Sequence, residues 1–345
     1  MKKVLIVSPQ LGGIGGIETV LLKVLHSPLV NKFKIDLLIL GGLKANKNRF
    51  ENIDNVDVHT TAHPQKLLRA FEMAKYILIN KEDIVICLSR EELIVAFYIR
   101  KIFCLNYKIV SWIHFSLQGN KTNFKKYADY HFSISSGNTK LLKRRGIPSR
   151  NIFTIYNPIS DTKEFILKDK RKIRFIYVGR IIFRGQKNLK EIIDGIATWN
   201  REKWQLSFYG TGPGVKECKD YIHVKYPKIE SKFEWCGWQE NPWENIRSAN
   251  ALILTSSFEG FPMVLLEAIS RGVPCVSSNC MTGPDDIIKN GINGYLYRLH
   301  DLDDFHVKLD KVLLLKKTPL EIQNSISQFN DEIYLNRLEK ILSKI

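Results

Sequence analysis

The 345-residue chain lacks the sequence patterns that would place it in several common classes of protein. Its six cysteines include no C-x-x-C pair and no spacing typical of metal ligands, so we expect reduced thiols in a reducing compartment. The longest charge-free apolar runs, such as Leu93–Ile99, are far shorter than the ~20 residues that a membrane-spanning helix needs. The composition therefore predicts a cytoplasmic protein whose contact with a membrane is peripheral.

Familiar catalytic arrangements are also missing. The sequence shows no Ser-His-Asp or Cys-His set. It has no Asp-x-Asp at the end of a predicted strand, because Asp285-Asp286 is followed by Ile287 at a helix start. A metal ion that bridges phosphates is therefore not indicated, and no cofactor is expected. The N-terminal apolar stretch Val4–Val7 is too short for a signal peptide and is predicted to be a buried strand.

Positive charge is abundant and unevenly distributed. The net charge is +17, and residues 1–150 hold 24 lysines and arginines but only 11 acidic residues. This balance predicts an anionic partner for the first half, although a lysine-rich solvated surface would look similar. No helix-turn-helix, zinc-finger or RNA-binding signature accompanies the charge, so a membrane surface or phosphorylated glycolipid fits better than nucleic acid. The excess is concentrated in Lys66, Arg69, Lys75, Arg100, Lys101, Lys121, Lys125, Lys126, Lys140, Lys143, Arg144, Arg145 and Arg150.

Short β-branched runs alternate with amphipathic segments along the whole chain. This alternation predicts an α/β fold of two doubly wound, Rossmann-like domains facing across a cleft, at 1–158 and 159–328, followed by a C-terminal helix at 329–345. Predicted strands are Lys3–Ser8, Lys34–Leu40, Val56–Thr60, Ile84–Leu88, Ile109–Ile113, Tyr130–Ile134, Ile173–Val178, Gln205–Tyr209, Phe233–Cys236, Ala251–Leu254, Pro274–Ser277 and Gly294–Tyr297. Predicted helices include Ile17–Leu25, Gln65–Ile79, Ser136–Arg145, Lys187–Thr198, Gly214–Val224, Trp243–Ala249, Pro262–Arg271, Pro284–Lys289 and Leu302–Leu315.

A run of glycines follows the first predicted strand. Ligands of parallel sheets bind at the carboxyl ends of the strands. Gly12-Gly13-Ile14-Gly15-Gly16 occupies such an end and opens a helix, where phosphate is favoured, although a plain tight turn is the alternative. The dinucleotide fingerprint G-x-G-x-x-G is not met, because Glu18 stands at its third glycine position.

Two cations and one histidine also follow predicted strands. Arg180 ends one strand and Lys187 follows seven residues later, so both can converge on one diphosphate unless they are ordinary surface cations. His114 ends the strand that begins at Val110. It is either a ligand contact in the cleft or a hydrogen-bonded buried histidine.

The most informative segment is Thr255–Ser278, which holds Glu259 and Glu267 with seven residues between them. Gly260 precedes a predicted helix whose first position suits Pro262. The positive end of the helix dipole then predicts an anion site, formed by the amides of Phe261, Met263, Val264 and Leu265. An anion site flanked by two carboxylates that can accept hydroxyl groups predicts a nucleotide sugar.

These residues resemble those of the retaining family 4 glycosyltransferases, which have the two-domain GT-B fold. The E-x7-E element formed by Glu259 and Glu267 is the most specific mark of that family, and the resemblance runs through nearly the whole chain. Further segments resemble the bacterial lipopolysaccharide core 1,6-galactosyltransferases, which use UDP-galactose. They are Trp112-Ile113-His114-Phe115-Ser116-Leu117, Tyr127-Ala128-Asp129-Tyr130-His131, Ile155-Tyr156-Asn157-Pro158, Gly237-Trp238-Gln239 and Cys280-Met281-Thr282-Gly283-Pro284.

The resemblance implies roles for the candidate residues. Four would act in catalysis: Glu259 would hold the donor hexose, Arg180 and Lys187 the diphosphate, and His114 the sugar near C6. Glu267 would bind the ribose hydroxyls. The C-terminal helix at 329–345 would return to the first domain. The other donor contacts would come from Gly15 and Gly16 at the diphosphate, Trp238 beside the uracil, and Gly260, Phe261, Met263 and Val264 at the hexose.

The activity that the resemblance implies is a retaining, metal-independent transfer of galactose from UDP-galactose to a glucose of the lipopolysaccharide core, through an α-1,6 linkage. No carboxylate is an evident nucleophile, so a front-face displacement is the hypothesis. UDP-glucose or UDP-N-acetylglucosamine, with lipopolysaccharide, O-antigen or capsule as acceptor, is the alternative, and a non-catalytic nucleic-acid-binding protein is the alternative of another class. The implied membrane partner is the anionic cytoplasmic face of the inner membrane, bound through Lys121–Lys126 and Lys140–Arg150.

Overall fold

The computed structural model describes residues 1–12, 15–44, 47–119 and 122–345. Two compact units are formed: unit 1 is Met1–Pro158 together with Asp331–Ile345, and unit 2 is Ile159–Asn330. The chain thus changes units after residues 158 and 330, where the sequence analysis places the divisions after 158 and 328. Within the described ranges, no helix is both long enough and apolar enough to cross a membrane.

Unit 1 contains a seven-stranded parallel sheet with the order β3-β2-β1-β4-β5-β6-β7. Its strands are β1 (Lys3–Ser8), β2 (Lys34–Ile39), β3 (Val58–Thr60), β4 (Ile84–Cys87), β5 (Lys108–Trp112), β6 (Tyr130–Ser133) and β7 (Ile152–Thr154). Its helices begin with α1 (Gly16–Leu25), α2 (Lys66–Asn80), α3 (Arg90–Ile102), α4 (Phe124–Tyr127) and α5 (Ser136–Arg144).

Unit 2 contains a six-stranded parallel sheet with the order β10-β9-β8-β11-β12-β13. Its strands are β8 (Ile173–Val178), β9 (Trp204–Tyr209), β10 (Phe233–Gly237), β11 (Ala251–Leu254), β12 (Cys275–Ser278) and β13 (Gly294–Tyr297). Its helices are α6 (Leu189–Thr198), α7 (Val215–Lys225), α8 (Met263–Ser270), α9 (Pro284–Ile287), α10 (Leu302–Leu313) and α11 (Pro319–Asn324). Short 3-10 helices lie at Pro28–Asn31, Lys47–Phe50, Ser149–Asn151, Pro227–Lys232, Pro242–Glu244 and Ser327–Phe329.

The last helix, α12 (Asp331–Lys344), belongs to unit 1. Asp331 forms an ion pair of 2.5 Å with Lys23 of α1, and Arg337 donates to the carbonyl oxygen of Ile155 at 2.8 Å. Four side chains of α12 are buried: Tyr334, Leu338, Ile341 and Leu342. The helix therefore completes the core of unit 1 from the far end of the chain.

The central strands are buried on both faces, as the near-continuous apolar sequence of β1 predicts. Alternate residues such as Leu5, Val7 and Val85 point to one face of the unit 1 sheet, where they join a single core with side chains of α2, α3, α4 and α5. These four helices therefore form one layer on the same side of that sheet.

The predicted strands lie within one or two residues of the observed ones, and the prediction of an α/β fold with parallel sheets is confirmed. The predicted helix Trp243–Ala249 is wrong. Only the 3-10 turn Pro242–Glu244 forms there, because Ala249 N donates to Leu167 O at 3.1 Å in a bridge beside the sheet instead of to the preceding helical turn. The strand β7 and the helices α3, α4 and α11 are not among the predicted elements.

Candidate functional site

The strand order of unit 2 reverses between β8 and β11, because β9 and β10 lie on one side of β8 and the remaining strands on the other. Ligands of parallel α/β sheets bind at such a switch point. The loops that follow these two strands are joined there. Ser257 N donates to Gln186 O at 2.8 Å, and the hydroxyl of Thr255 donates to Lys187 O at 3.2 Å. The candidate residues Lys187 and Glu259 are therefore held on two connected loops.

Lys187 and Glu259 form an ion pair at this position. The Nζ atom of Lys187 lies 2.6 Å from Oε1 of Glu259, and the hydroxyl of Ser256 donates to the same oxygen at 2.6 Å. Only 19% of the lysine side chain and 8% of the glutamate side chain are exposed. The prediction that Lys187 starts the helix is wrong, because α6 begins two residues later, at Leu189. An anionic ligand would therefore have to share or displace the carboxylate that now neutralises Lys187.

The loop after β12 supports the backbone of Glu259. The hydroxyl of Thr282 donates to Glu259 O, and Ser278 Oγ donates to Ser256 O at 2.6 Å. Thr282 has a φ of 76°, which a β-branched residue adopts only when its surroundings impose it. At the adjacent Gly283, with a φ of 97°, a Cβ atom would lie 2.8 Å from Cδ of Pro262. This loop was noticed in the sequence only as part of a resemblance, and its hydrogen bond to Glu259 was not predicted.

Helix α8 begins one residue later than expected. Pro262 is its N-cap, with a ψ of 96°, and is not the first helical residue. The amide of Leu265 was predicted to form part of the anion site. Instead, Leu265 N donates to Pro262 O at 3.1 Å, so this N–H is already used within the chain. Met263 and Val264 are the first two helical residues, where N–H groups have no partner inside a helix. The ring of Phe261 is buried and packs edge-on against Phe329 with centroids 5.4 Å apart, so this residue offers its backbone and not its side chain.

Glu267 lies one turn into α8 and has a tryptophan partner. Trp243 Nε1 donates to Glu267 Oε2 at 3.1 Å, and the guanidinium of Arg271 lies over the Trp243 ring at 4.9 Å. Burial lowers the pKa of Arg271, opposed by the nearby charge of Glu267. Trp243 is not among the predicted site residues, because the sequence pattern makes it the first residue of a predicted helix. The structure does not bring the carboxylate of Glu267 into the Lys187–Glu259 pair.

Arg180 follows β8 in a loop that packs closely on the loop after β9. A Cβ atom at Gly210 would lie 1.9 Å from Gly179 O, and one at Gly212 would lie 2.3 Å from Ile181 O. The hydroxyl of Tyr177 donates to Arg180 O at 2.8 Å, which fixes the backbone, while the Arg180 side chain is exposed. Among the described residues Arg180 forms no salt bridge, so its charge is available to a ligand.

Trp238 follows β10, at the next strand end of the same sheet edge. Its side chain is 54% exposed. Gly237 before it has a φ of 70° and open space where a Cβ would be. An exposed indole beside a strand end can stack on a planar ring.

In unit 1 the glycine loop after β1 already contacts a carboxylate. Gly12 N donates to Glu18 Oε1 at 2.7 Å, and a Cβ atom at Gly15 would lie 2.5 Å from Glu18 Oε2. Gly15 is the N-cap of α1 and Gly16 is its first residue. Gly13 and Ile14 lie outside the described residues. The predicted phosphate position at this helix start is therefore next to the buried acid Glu18, which reduces its attraction for an anion.

His114 follows β5 in unit 1, and both of its ring nitrogens are buried without a hydrogen-bond partner among the described residues. Burial lowers the pKa of His114 to about 3, so the ring is neutral at ordinary pH. The ring of Trp112 lies beside it at a centroid distance of 4.7 Å. Within the described ranges, no residue supplies the hydrogen bonds that the alternative of a satisfied buried histidine requires. A neutral imidazole with two unused nitrogens can donate to and accept from hydroxyl groups.

Six basic residues of unit 1 are exposed on neighbouring elements. We call the exposed cations of α4, α5 and the 3-10 helix after them the α4–α5 basic surface: Lys125, Lys126, Lys140, Lys143, Arg144 and Arg150. Arg145 is not part of it, contrary to prediction, because it donates to Leu117 O at 2.7 Å and lies over the Phe124 ring. Lys121 lies outside the described residues.

Comparison with known proteins identifies the family. Residues 159–329 match the family model of glycosyl transferases group 1. The chain is 36% identical to the lipopolysaccharide 1,6-galactosyltransferase of Salmonella typhimurium, with 99% of each chain covered. It is 33% identical to the Escherichia coli protein of the same name, with 99% of this chain and 98% of that one covered. The apo structure of the lipopolysaccharide outer core galactosyltransferase WaaB matches with a TM-score of 0.88 and 34% identity, over 99% of this chain and 100% of that one.

The two sheets, the residues at their strand ends and the similarity over the full length are consistent with one another. The similarity extends beyond unit 2, which the family model matches, to unit 1 and to α12. The chain therefore belongs to glycosyl transferases group 1 and has the GT-B fold.

Proposed function

We propose that this protein transfers galactose from UDP-galactose to a glucose of the lipopolysaccharide core, with retention of configuration and an α-1,6 linkage. The full-length similarity to two lipopolysaccharide 1,6-galactosyltransferases supports this donor and acceptor. The observation that carries the proposal is the arrangement at the switch point of unit 2, where Lys187 and Glu259 are paired beside the start of α8. A cation, a carboxylate and free helical N–H groups are the partners that a sugar diphosphate requires.

In the proposed reaction the diphosphate recruits Lys187 from Glu259 and also binds Arg180. The carboxylate of Glu259, which offers several acceptor positions, then accepts hydrogen bonds from hydroxyl groups of the hexose. When the anomeric C–O bond breaks, the pair of electrons remains on UDP. Positive charge from Arg180, Lys187 and the N-terminus of α8 stabilises it there. We expect these groups to replace a metal ion, so that chelation with EDTA leaves the rate unchanged.

Retention is proposed to follow from a front-face displacement. The acceptor hydroxyl forms the new bond on the face that UDP leaves, and its proton passes to a phosphate oxygen of the donor. Glu259→Ala is then expected to lower donor turnover without exposing a covalent intermediate. Trapping a galactosyl adduct on any carboxylate of this chain would contradict the proposal.

The donor and the class of function can be tested together. Thermal unfolding should be shifted upward by UDP and UDP-galactose, more than by UDP-glucose or UDP-N-acetylglucosamine, because a ligand that binds only the folded state stabilises it. Oligonucleotides should give no such shift. If UDP-glucose stabilised the protein more and were hydrolysed faster than UDP-galactose, the donor would be UDP-glucose. Stabilisation by DNA or RNA with none by UDP would favour the nucleic-acid-binding alternative.

The acceptor is proposed to be reached at an anionic membrane surface. The α4–α5 basic surface supports this, because six exposed cations on neighbouring elements attract acidic headgroups or the phosphates of a lipopolysaccharide core. This electrostatic contact should weaken as salt increases.

A further inference from the structure

Helix α2 is apolar on two opposite faces. Its inner face buries Met73 and Ile77 in the core of unit 1. Its outer face exposes five large apolar side chains, which we call the α2 stripe: Leu67 (84% exposed), Leu68 (41%), Phe71 (64%), Leu78 (36%) and Ile79 (66%). A helix on the surface of a soluble protein normally has a polar outer face.

The residues of the α2 stripe lie along one side of the helix. Leu67, Phe71 and Leu78 are four and seven residues apart and follow one line, with Lys75 between Phe71 and Leu78 and with Leu68 and Ile79 beside the line. The distance from the first to the last is about 18 Å at a rise of 1.5 Å per residue. In unit 2 the most exposed apolar side chains lie on separate elements, such as Val224, Leu314 and Leu320. Isolated residues of that kind need no explanation, whereas five large apolar side chains on one side of a single helix do.

Positive charge lies within the α2 stripe. Lys75 is exposed between Phe71 and Leu78, Lys66 is exposed in the first turn of α2, and Glu72 is the only acid of that helix. The end of α3, which packs beside α2, adds two exposed apolar side chains, Ile102 at 70% and Phe103 at 47%. Apolar side chains interspersed with lysines match the boundary between headgroups and acyl chains of an anionic bilayer.

The α2 stripe and the α4–α5 basic surface belong to the same layer of unit 1. Helices α2 to α5 all cover the same face of its sheet and share one core. A single extended partner can therefore contact both surfaces. A second copy of this chain is a poorer match, because a two-fold contact through the stripe would place the charged Lys75 of both copies in one apolar interface.

We propose that the α2 stripe inserts into the interfacial region of an anionic lipid bilayer. This inference shares one assumption with the proposed function, namely that the acceptor is carried on a membrane. It adds an apolar contact, which persists at high salt, to the electrostatic contact of the α4–α5 basic surface. The two contacts can be separated because they reside on different side chains.

The test is flotation of the full chain with vesicles of phosphatidylethanolamine and phosphatidylglycerol, at low salt and at about 0.5 M NaCl, where charges are screened within a few ångströms. The stripe variant is L67S/F71S/I79S. Its matched control is V224S/L314S/L320S, which removes equally exposed apolar side chains from unit 2. A charge variant, K125E/K126E/K140E/K143E, tests the basic surface.

Wild-type protein and the unit 2 control should keep a vesicle-bound fraction at high salt. In the stripe variant this fraction should be about tenfold smaller. The charge variant should lose mainly the binding at low salt. Stabilisation by UDP should be unchanged in all of them, so failure of donor binding would contradict the proposed function and not this inference. Equal high-salt flotation of stripe variant and control would overturn the inference. So would a wild-type dimer in sedimentation that the stripe substitutions convert to monomer without affecting flotation.

Discussion

The ion pair between Lys187 and Glu259 links the stability of unit 2 to its chemistry. Removing one partner leaves the other charge shielded from water without compensation, which costs about 3 kcal/mol of unfolding free energy. We expect Lys187→Met and Glu259→Gln each to destabilise the protein. The double variant K187M/E259Q should lose less than the sum, with a coupling of about 1–3 kcal/mol in urea unfolding. Strictly additive losses would show that the pair contributes nothing to the folded state.

His114 makes the stability of unit 1 depend on acidity. Its pKa is lowered by burial from 6.5 to about 3, so the unfolded chain takes up this proton first as the pH falls. The contribution is therefore fully present above pH 6.5 and is lost progressively toward pH 3. His114→Phe should flatten the decline of unfolding free energy over this range by up to about 1.4 kcal/mol per pH unit.

The control for this prediction is His223, whose pKa is raised because its ring donates a hydrogen bond to the carboxylate of Glu230. His223→Phe removes a histidine whose pKa is shifted upward and not downward. It should therefore not flatten the decline of unfolding free energy. If His114→Phe and wild type had parallel profiles below pH 6.5, the ring of His114 would be solvated in solution.

The loops after β8 and β9 depend on glycine at their point of closest approach. A side chain at Gly210 would overlap the carbonyl group of Gly179, and the φ of 145° is one that other residues rarely adopt. Gly210→Ala should lower the unfolding free energy by several kcal/mol and weaken UDP binding, because Arg180 is carried by the displaced loop. Gly237→Ala is the matched control, with a φ of 70° and open space, and should cost only about 1 kcal/mol.

At the level of elements, the sequence was informative where the signal is local. Apolar runs identify the strands, and residues that follow them, such as Arg180 and Glu259, lie at the strand ends that the structure contains. The partners of those residues were not predictable. The pairing of Lys187 with Glu259, and the hydroxyl of Thr282 on Glu259, depend on loops that are 72 and 23 residues apart and meet only through the order of the strands.

Misassigned elements have the same cause. Trp243 looked helical because apolar residues recur near it, but the chain that follows it forms a bridge at Ser248 with Leu167, and the indole of Trp243 donates to Glu267. Arg145 looked like one more surface cation, yet the Phe124 ring and the Leu117 carbonyl hold it. Long-range contacts of this kind override local pattern.

For the whole molecule, α12 makes unit 1 discontinuous in sequence. Deleting residues 331–345 removes α12 and should expose the part of unit 1 against which Tyr334, Leu338 and Leu342 are buried. The deletion also removes the ion pairs of α12 to Lys23 and Lys32. We expect calorimetry to show a lowered transition for unit 1, with a transition for unit 2 that UDP still raises. Loss of both transitions together would mean that the two units unfold as one.

The two crossings of the chain between units, after residues 158 and 330, also set an order of events during synthesis. A ribosome releases the first 158 residues well before the segment that completes their core. Unit 2 is contiguous and can fold as soon as it emerges, whereas the seven-stranded sheet must wait with part of its apolar surface uncovered until α12 arrives. The first half of the protein to be made is therefore the last to be finished, and it is the half that a chaperone would have to protect.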